Sequence, residues 1–244
     1  MTEKIKTIVY IDGYNLYYSC LKDTSFKWLD IPKLFERILK DQNPAIEIIK
    51  IKYFTAPALG RFASNGSKSA EAQQTYHRAL QYCYPDLMEI IFGNHTQVKK
   101  PLPRYDENIP FCKQDRHWVW VLEEKLTDVQ LAIAMYRDAA QLKCDQLVIC
   151  SNDSDMTPAL KAIREDLPDF KIGIVMPIRQ SLQSRRASKS LEMLSTWTRH
   201  CIRDEELENS QLPEKVPTNK KPMLKPLHWS KGEITPLQTN GTQE

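Results

Sequence analysis

Leu147-Val148-Ile149-Cys150-Ser151-Asn152-Asp153-Ser154-Asp155 decides how this chain is read. The apolar run Leu147 to Cys150 predicts a buried strand, and the pattern from Thr157, with Pro158 in the first turn, predicts a helix straight after it. Two carboxylates therefore stand where a strand stops and a helix begins. In an open α/β sheet the crevice outside the carboxyl ends of the strands is where ligands bind. Near the start the same layout recurs: Thr7-Ile8-Val9-Tyr10-Ile11 predicts a strand ending in Asp12-Gly13-Tyr14-Asn15, again with a helical pattern following.

Outward from these two strand ends the chain alternates. Helices are expected at 16–21 and 31–39, a β-branched strand at 47–54, a loop at 63–69, a helix at 69–82 and a short strand at 88–92. Residues 94–121 break the rhythm with Pro101, Pro103, Pro110 and the alternating Trp118-Val119-Trp120-Val121, which predicts an extended arm or hairpin. The longest helix is expected from Val129 to Leu142. After it come the 147 strand, a helix at 157–165, a strand at 171–175 and a basic helical piece at 185–194. Strands alternating with helices imply a mostly parallel sheet covered on both faces. The sequence thus predicts one α/β domain over 1–210. The proline- and lysine-bearing segment 211–244 is expected to be a disordered tail.

Composition narrows the class. At 244 residues and 41% hydrophobic content the chain can hold one sizeable core. Six scattered cysteines without a C-x-x-C pair read as free buried thiols. With neither a signal-type apolar segment nor a run able to span a bilayer, the expectation is a soluble cytoplasmic protein without a membrane partner. A formal charge of +3 is too small to argue for a nucleic-acid partner, so local clusters must carry that case. Seven glycines form neither G-x-G-x-x-G nor a Walker pattern, which speaks against nucleotide-cofactor chemistry.

Four acidic residues stand out, Asp12, Asp128, Asp153 and Asp155, with Asn15 as a neutral donor nearby. Each has a local structural explanation. Asp12-Gly13 suits a turn and Asn15 a cap, Thr127-Asp128-Val129-Gln130 resembles a capping box, and Asp155 suits the start of the helix holding Pro158. Together they say more, because Asp12 and Asp153 end parallel strands and project at one sheet edge. Carboxylates crowded there repel unless a cation or proton joins them. Oxygen ligands without His or Cys at useful spacing suit Mg²⁺ or Mn²⁺, and a hard divalent ion activates water for phosphodiester hydrolysis. On this reading Asp12 and Asp153 are direct ligands, Asp128 and Asp155 complete the shell or orient water, and Asn15 holds a carboxylate or the scissile phosphate.

Three stretches, 9–15, 123–132 and 149–155, resemble the signature blocks of NYN domains, a branch of the PIN-like nucleases, with order and spacing matching over roughly residues 5 to 195. The resemblance implies a Rossmann-like PIN fold and metal-dependent ribonuclease activity, with the acidic residues carried over at Asp12, Asp128, Asp153 and Asp155. Many NYN domains carry a further acidic residue about two turns into the helix of the second stretch, where this chain has Ala134, Met135 and Tyr136.

For an RNA partner the candidate contacts are Arg61 on a loop at the active edge, Lys125 beside the Asp128 block, and the cluster Arg179, Arg185, Arg186 and Lys189. The arm interleaves Lys99, Lys100, Arg104, Lys113 and Arg116 with Tyr105, Phe111, Trp118 and Trp120. That is the make-up of a single-strand platform, although burial of the tryptophans is the stronger expectation. The same aromatic arm is a feature that supports a homodimer. A ribonuclease is the leading reading, ahead of a non-catalytic RNA-binding scaffold. A phosphatase of small esters ranks third, since Asp12-Gly13-Tyr14 lacks a second aspartate two residues on.

Overall fold

Alternation along the first strand settles which layer each side chain joins. In a computed structural model that describes residues 3–63, 65–181 and 187–230, the chain runs β1 (Ile5–Asp12), α1 (Gly13–Leu16), α2 (Ile31–Gln42), β2 (Ile46–Thr55), α3 (Ser67–Cys83), β3 (Met88–Phe92), β4 (Asn94–Pro103), β5 (Arg116–Lys125), α4 (Thr127–Ala140), β6 (Gln146–Cys150), α5 (Thr157–Asp166), β7 (Lys171–Val175), α6 (Lys189–Glu192), β8 (Trp197–Arg199), α7 (Asp204–Asn209), β9 (Lys215–Val216) and β10 (Met223–Leu224). Successive strand side chains point to opposite faces. Val9 and Ile11 of β1 accordingly join Ile51, Tyr53, Val148, Cys150 and Val175 in a core shared with α2 and α3. Ile8 and Tyr10 join Leu147, Ile149, Ile172 and Ile174 against α4 and α5.

The central sheet has the order β3-β2-β1-β6-β7-β8, and every pairing in it is parallel. From β1 the chain builds outward through β2 and β3, then returns to the opposite side of β1 as β6. The gap between β1 and β6 is therefore the topological switch point, where side chains at the strand ends face an open crevice. Helices on both faces complete the α/β architecture expected from the sequence. The 94–121 stretch forms an antiparallel hairpin, β4 with β5, running from the pair Asn94/Lys125 to Pro103/Arg116.

Local chemistry explains the element ends. Asp30 caps α2 by accepting from the Lys33 N–H, Pro32 occupies its first turn, and Leu34, Phe35, Ile38 and Leu39 face the core at helical spacing. Gly13 is required where β1 hands over to α1. A Cβ there would lie 2.6 Å from the Phe54 carbonyl oxygen and 2.8 Å from the Tyr53 ring.

Several expectations are corrected. The segment read as a disordered tail packs over its first twenty residues: Leu212, Val216 and Met223 are buried in the α2/α3 core, and the Trp28 indole N–H donates to the Pro213 carbonyl at 2.8 Å. A mostly polar stretch hid three well-spaced apolar anchors, while residues 231–244 lie outside the described residues. At 17 residues α3, not the 14-residue α4, is the longest helix among the described residues. Of the basic piece expected at 185–194, only Lys189–Glu192 is helical among the described residues. Trp118 and Trp120 stand 72% and 56% exposed on the hairpin, so the expected burial of the tryptophans does not occur. A two-stranded ribbon has no second layer to cover them. Cys83 and Cys112 are exposed thiols, whereas Cys20, Cys144 and Cys150 are buried as expected.

Candidate active site

Parallel register brings the two acidic strand ends together. Ile11 pairs with Cys150, so Asp12 and Ser151 are the next residues beyond the ladder on adjacent strands. Their side chains meet: the Ser151 hydroxyl donates to Asp12 Oδ2 at 3.1 Å, while the Asn15 N–H donates to Asp12 Oδ1 at 2.9 Å. Asp12 thus caps the helix that was expected to be capped by Asn15. From the same hydroxyl the link continues, as the Asp153 N–H donates to Ser151 Oγ at 3.1 Å. Asp153 Oδ1 then accepts from the Asp155 N–H at 2.9 Å, so Asp153, not Asp155, caps the short turn Ser154–Met156 that leads into α5.

Asp128 arrives from the opposite direction, in the first turn of α4, which touches the 154–156 turn. The capping box expected there is absent: Leu126, in the left-handed region at φ 79°, holds the cap position without a side-chain hydrogen bond. This strained entry turns the chain from β5 into α4 and leaves Asp128 at the carboxylate cluster.

Burial first, and neighbouring charge second, set the proton affinities of the acids. Burial pushes the Asp12 carboxyl up to about 6, against the Asn15 and Ser151 hydrogen bonds that hold it down, and the charges of Asp128 and Glu124 push it further. Burial also raises Asp128, with Asp153 and Asp155 adding to it. Glu124 is raised by burial and by Asp128. Glu124 and Ser151 are therefore members of the site to which sequence reasoning assigned no role. The available signals were strand register for Ser151 and, for Glu124, its place opposite His95 in the hairpin.

His95, likewise without an expected role, fastens the arm to the site. Its Nδ1 donates to the Pro57 carbonyl at 2.9 Å, which leaves Nε2 to accept from the Tyr14 hydroxyl at 2.7 Å. The expected RNA contacts fare unevenly. Arg61 is exposed and reaches Gln97 of the arm at 3.2 Å. Lys125 pairs with Glu123 at 2.7 Å. Arg179 is drawn away into an ion pair with Asp204 at 2.8 Å and lies over the Phe26 ring, while Arg185 and Arg186 lie outside the described residues.

Beside Asp12 opens a cavity of about 340 Å³, bounded by Gly13, Tyr14, Tyr18, Tyr53, His77 and His95 among others. The donor chemistry of the acidic edge fits a hard divalent cation: the oxygens are carboxylates and hydroxyls, and the charges repel without a counter-ion. Among the described residues, no three His, Cys, Asp or Glu side chains converge tightly enough to hold an ion directly. The fit is thus to a cation held by one or two carboxylates with its remaining positions filled by water, as Mg²⁺ commonly is.

The sequence model of the NYN domain matches residues 6–177, from β1 through β7. The chain belongs to the NYN domain family. Beyond the matched residues the described chain continues through α6, β8, α7 and the packed 212–230 segment. It is similar to 6-hydroxy-3-succinoylpyridine 3-monooxygenase HspA of Pseudomonas putida, 38% identical over 93% of this chain and 76% of that protein. It is also similar to the crystal structure of a protein of unknown function from Vibrio parahaemolyticus. That likeness covers 84% of this chain and 97% of the other, at 16% identity and a TM-score of 0.46. Among the described residues of this NYN protein, no helix is long and apolar enough to cross a membrane.

Proposed function

We propose that this protein is a metal-dependent ribonuclease whose Asp12, Asp128, Asp153 and Asp155 edge hydrolyses RNA phosphodiester bonds. The observation that carries the reading is the meeting of carboxylates at the switch point. Asp12 sits buried at the end of β1, linked through the Ser151 hydroxyl to the Asp153 backbone, and burial first, with the charges of Asp128 and Glu124 adding to it, raises its carboxyl to about 6. Such a site stores negative charge where a cation is wanted, and membership in the NYN family makes the nuclease class the natural assignment. A bound Mg²⁺ or Mn²⁺ would supply Lewis-acid activation of water and charge neutralisation at the phosphate.

The chain's own residues have distinct tasks. Asp12 and Asp153 are the ligands, each held by a backbone N–H (that of Asn15 and that of Asp155), and each carboxylate oxygen so engaged keeps a further lone pair for a cation. Ser151 ties the two strand ends into one unit through its hydroxyl. Asp128, with its raised proton affinity, accepts the proton of the attacking water as the new P–O bond forms and the bond to the leaving ribose oxygen breaks. The Asn15 side-chain amide donates to a phosphate oxygen.

A second reading has one specific support, the 38% identity to a protein named as a pyridine monooxygenase. On that reading the same edge and cavity serve insertion of one oxygen atom of O₂ into a hydroxypyridine, the second atom leaving as water at the expense of a two-electron donor. One experiment separates them. Purified protein is given single-stranded RNA with Mn²⁺ in one arm, and 6-hydroxy-3-succinoylpyridine with oxygen and a reduced nicotinamide in the other. RNA fragments with the pyridine untouched support the ribonuclease. Pyridine turnover with intact RNA replaces it with the hydroxylase.

A further inference from the structure

We propose that the tyrosine-lined cavity beside Asp12 receives a single nucleobase of a single-stranded RNA, and that the aromatic face of the β4/β5 hairpin carries the nucleotides next to it. This rests on the ribonuclease reading of the adjacent acidic edge and adds how the substrate is held.

Position comes first. Gly13 and Tyr14 follow Asp12 directly in the chain and line the cavity, so it opens beside the acidic edge. At about 340 Å³ the cavity lies at the small end of the ~300–1,000 Å³ range of ligand sites, fitting one base or nucleoside rather than a duplex.

The walls match a planar heterocycle. Tyr14 and Tyr18 stack at 5.9 Å and 25°, and His77 meets the Tyr53 ring at 5.8 Å. Burial holds the Tyr14 and Tyr53 phenols protonated, far above neutrality, and lowers His77 to about 4, so at pH 7 these groups present neutral polar atoms and ring faces. Lys22, whose ammonium lies 5.3 Å over the Tyr18 ring, is an exposed cation at the rim for a phosphate. Buried Lys27, which also lines the cavity, is already engaged within the fold.

The cavity is continuous with the arm. Leu122 of β5 lines the cavity. Residues two apart on a strand share a face at about 7 Å intervals, so Trp120 and then Trp118 continue that face outward. Opposite them in register lie Gln97, Lys99 and Pro101. Lys99 sits 4.7 Å over the Trp120 ring, and Arg61 reaches Gln97. Exposed tryptophans at strand spacing beside a basic residue form a platform on which successive bases stack.

The test reads binding without turnover, using the full chain carrying Asp153→Asn in EDTA. A ten-nucleotide RNA containing 2-aminopurine is titrated and followed by its fluorescence and by anisotropy of an end label. The proposal expects quenching of 2-aminopurine. It also expects affinity to fall by roughly fivefold or more in Tyr18→Ala and in Trp120→Ala, both exposed positions that leave the core intact. Circular dichroism checks that each variant is folded. Binding that neither substitution weakens overturns the proposal, as does absence of quenching or of RNA binding. Preferential binding of 6-hydroxy-3-succinoylpyridine over RNA also overturns it and gives the cavity to a small aromatic acid. If RNA binds as expected while the unsubstituted protein cuts nothing, the pocket stands and the ribonuclease reading fails alone.

Discussion

Asp12→Asn should make the metal-free protein more stable above pH 6. Asp12 is 5% exposed, and its carboxyl is raised by burial from an ordinary value of 3.8 to about 6. A raised acid binds its proton more tightly in the folded than in the unfolded chain. The folded state therefore loses stability as pH climbs from about 4 to about 6, and the loss persists above that. The gap corresponds to roughly 3 kcal/mol at ~1.4 kcal/mol per tenfold. Asparagine is isosteric, keeps an oxygen for the Asn15 N–H, and turns an amide towards the Ser151 hydroxyl. It removes the buried charge and keeps the Asn15 contact, while at Ser151 the direction reverses, the hydroxyl oxygen accepting from the amide as it already does from the Asp153 N–H. Urea unfolding of both proteins at pH 4 and pH 8 in EDTA gives a difference in which other titrating groups largely cancel. That difference should move in favour of the variant by about 2–3 kcal/mol between the two pH values. A difference that is flat with pH, or that favours the wild type more at pH 8, refutes the picture of an unrelieved buried carboxylate.

Other predictions follow from the same structure. Saturating Mn²⁺ should raise the melting temperature of the wild type, since ligand at about 100 times its Kd adds ~2.7 kcal/mol, and should leave Asp12→Asn unmoved in a thermal-shift assay; equal shifts in both would place the ion elsewhere. Asp138, 2% exposed, is hydrogen-bonded by Tyr10 at 2.8 Å and paired with Lys52 and with Lys143 at 3.0 Å. Asp138→Ala would strand these partners and should cost about 3–5 kcal/mol in chemical denaturation; a loss under 1 kcal/mol would show that water replaces the carboxylate. Gly13→Ala, forcing a Cβ to 2.6 Å from a carbonyl oxygen, should destabilise by roughly 1–3 kcal/mol, read as a lower urea midpoint. Ending the chain at 211 removes the buried Leu212, Val216 and Met223, worth ~1.5–3 kcal/mol each. It should therefore lower the melting temperature and increase dye binding to exposed apolar surface.

The sheet and its acidic edge are legible in the sequence because their signals are local. Apolar runs ending in Asp12 and in Ser151-Asn152-Asp153 fix two strands, and parallel pairing then places their ends together. The hairpin was legible from its prolines and alternation, although its isolation from any covering layer was not, which is why the tryptophans were expected inside. Glu124 escaped notice because its membership depends on the left-handed turn at Leu126, a tertiary constraint without a sequence pattern. Arg179 looked available for phosphate because Asp204, its partner at 2.8 Å, lies twenty-five residues away in α7. The packing of 212–230 is hidden from composition, which averages over a window, whereas three anchors and one indole hydrogen bond suffice to dock it.

The central claim is most directly tested by incubating end-labelled single-stranded RNA with Mn²⁺, Mg²⁺ or EDTA, for the wild type and for Asp12→Asn and Asp153→Asn in parallel. The account predicts cutting that requires the metal and falls by a hundredfold or more in both folded variants, on the order expected for loss of a ligand carboxylate. Cutting that persists in EDTA or in either variant, or RNA left whole in every lane, would contradict it.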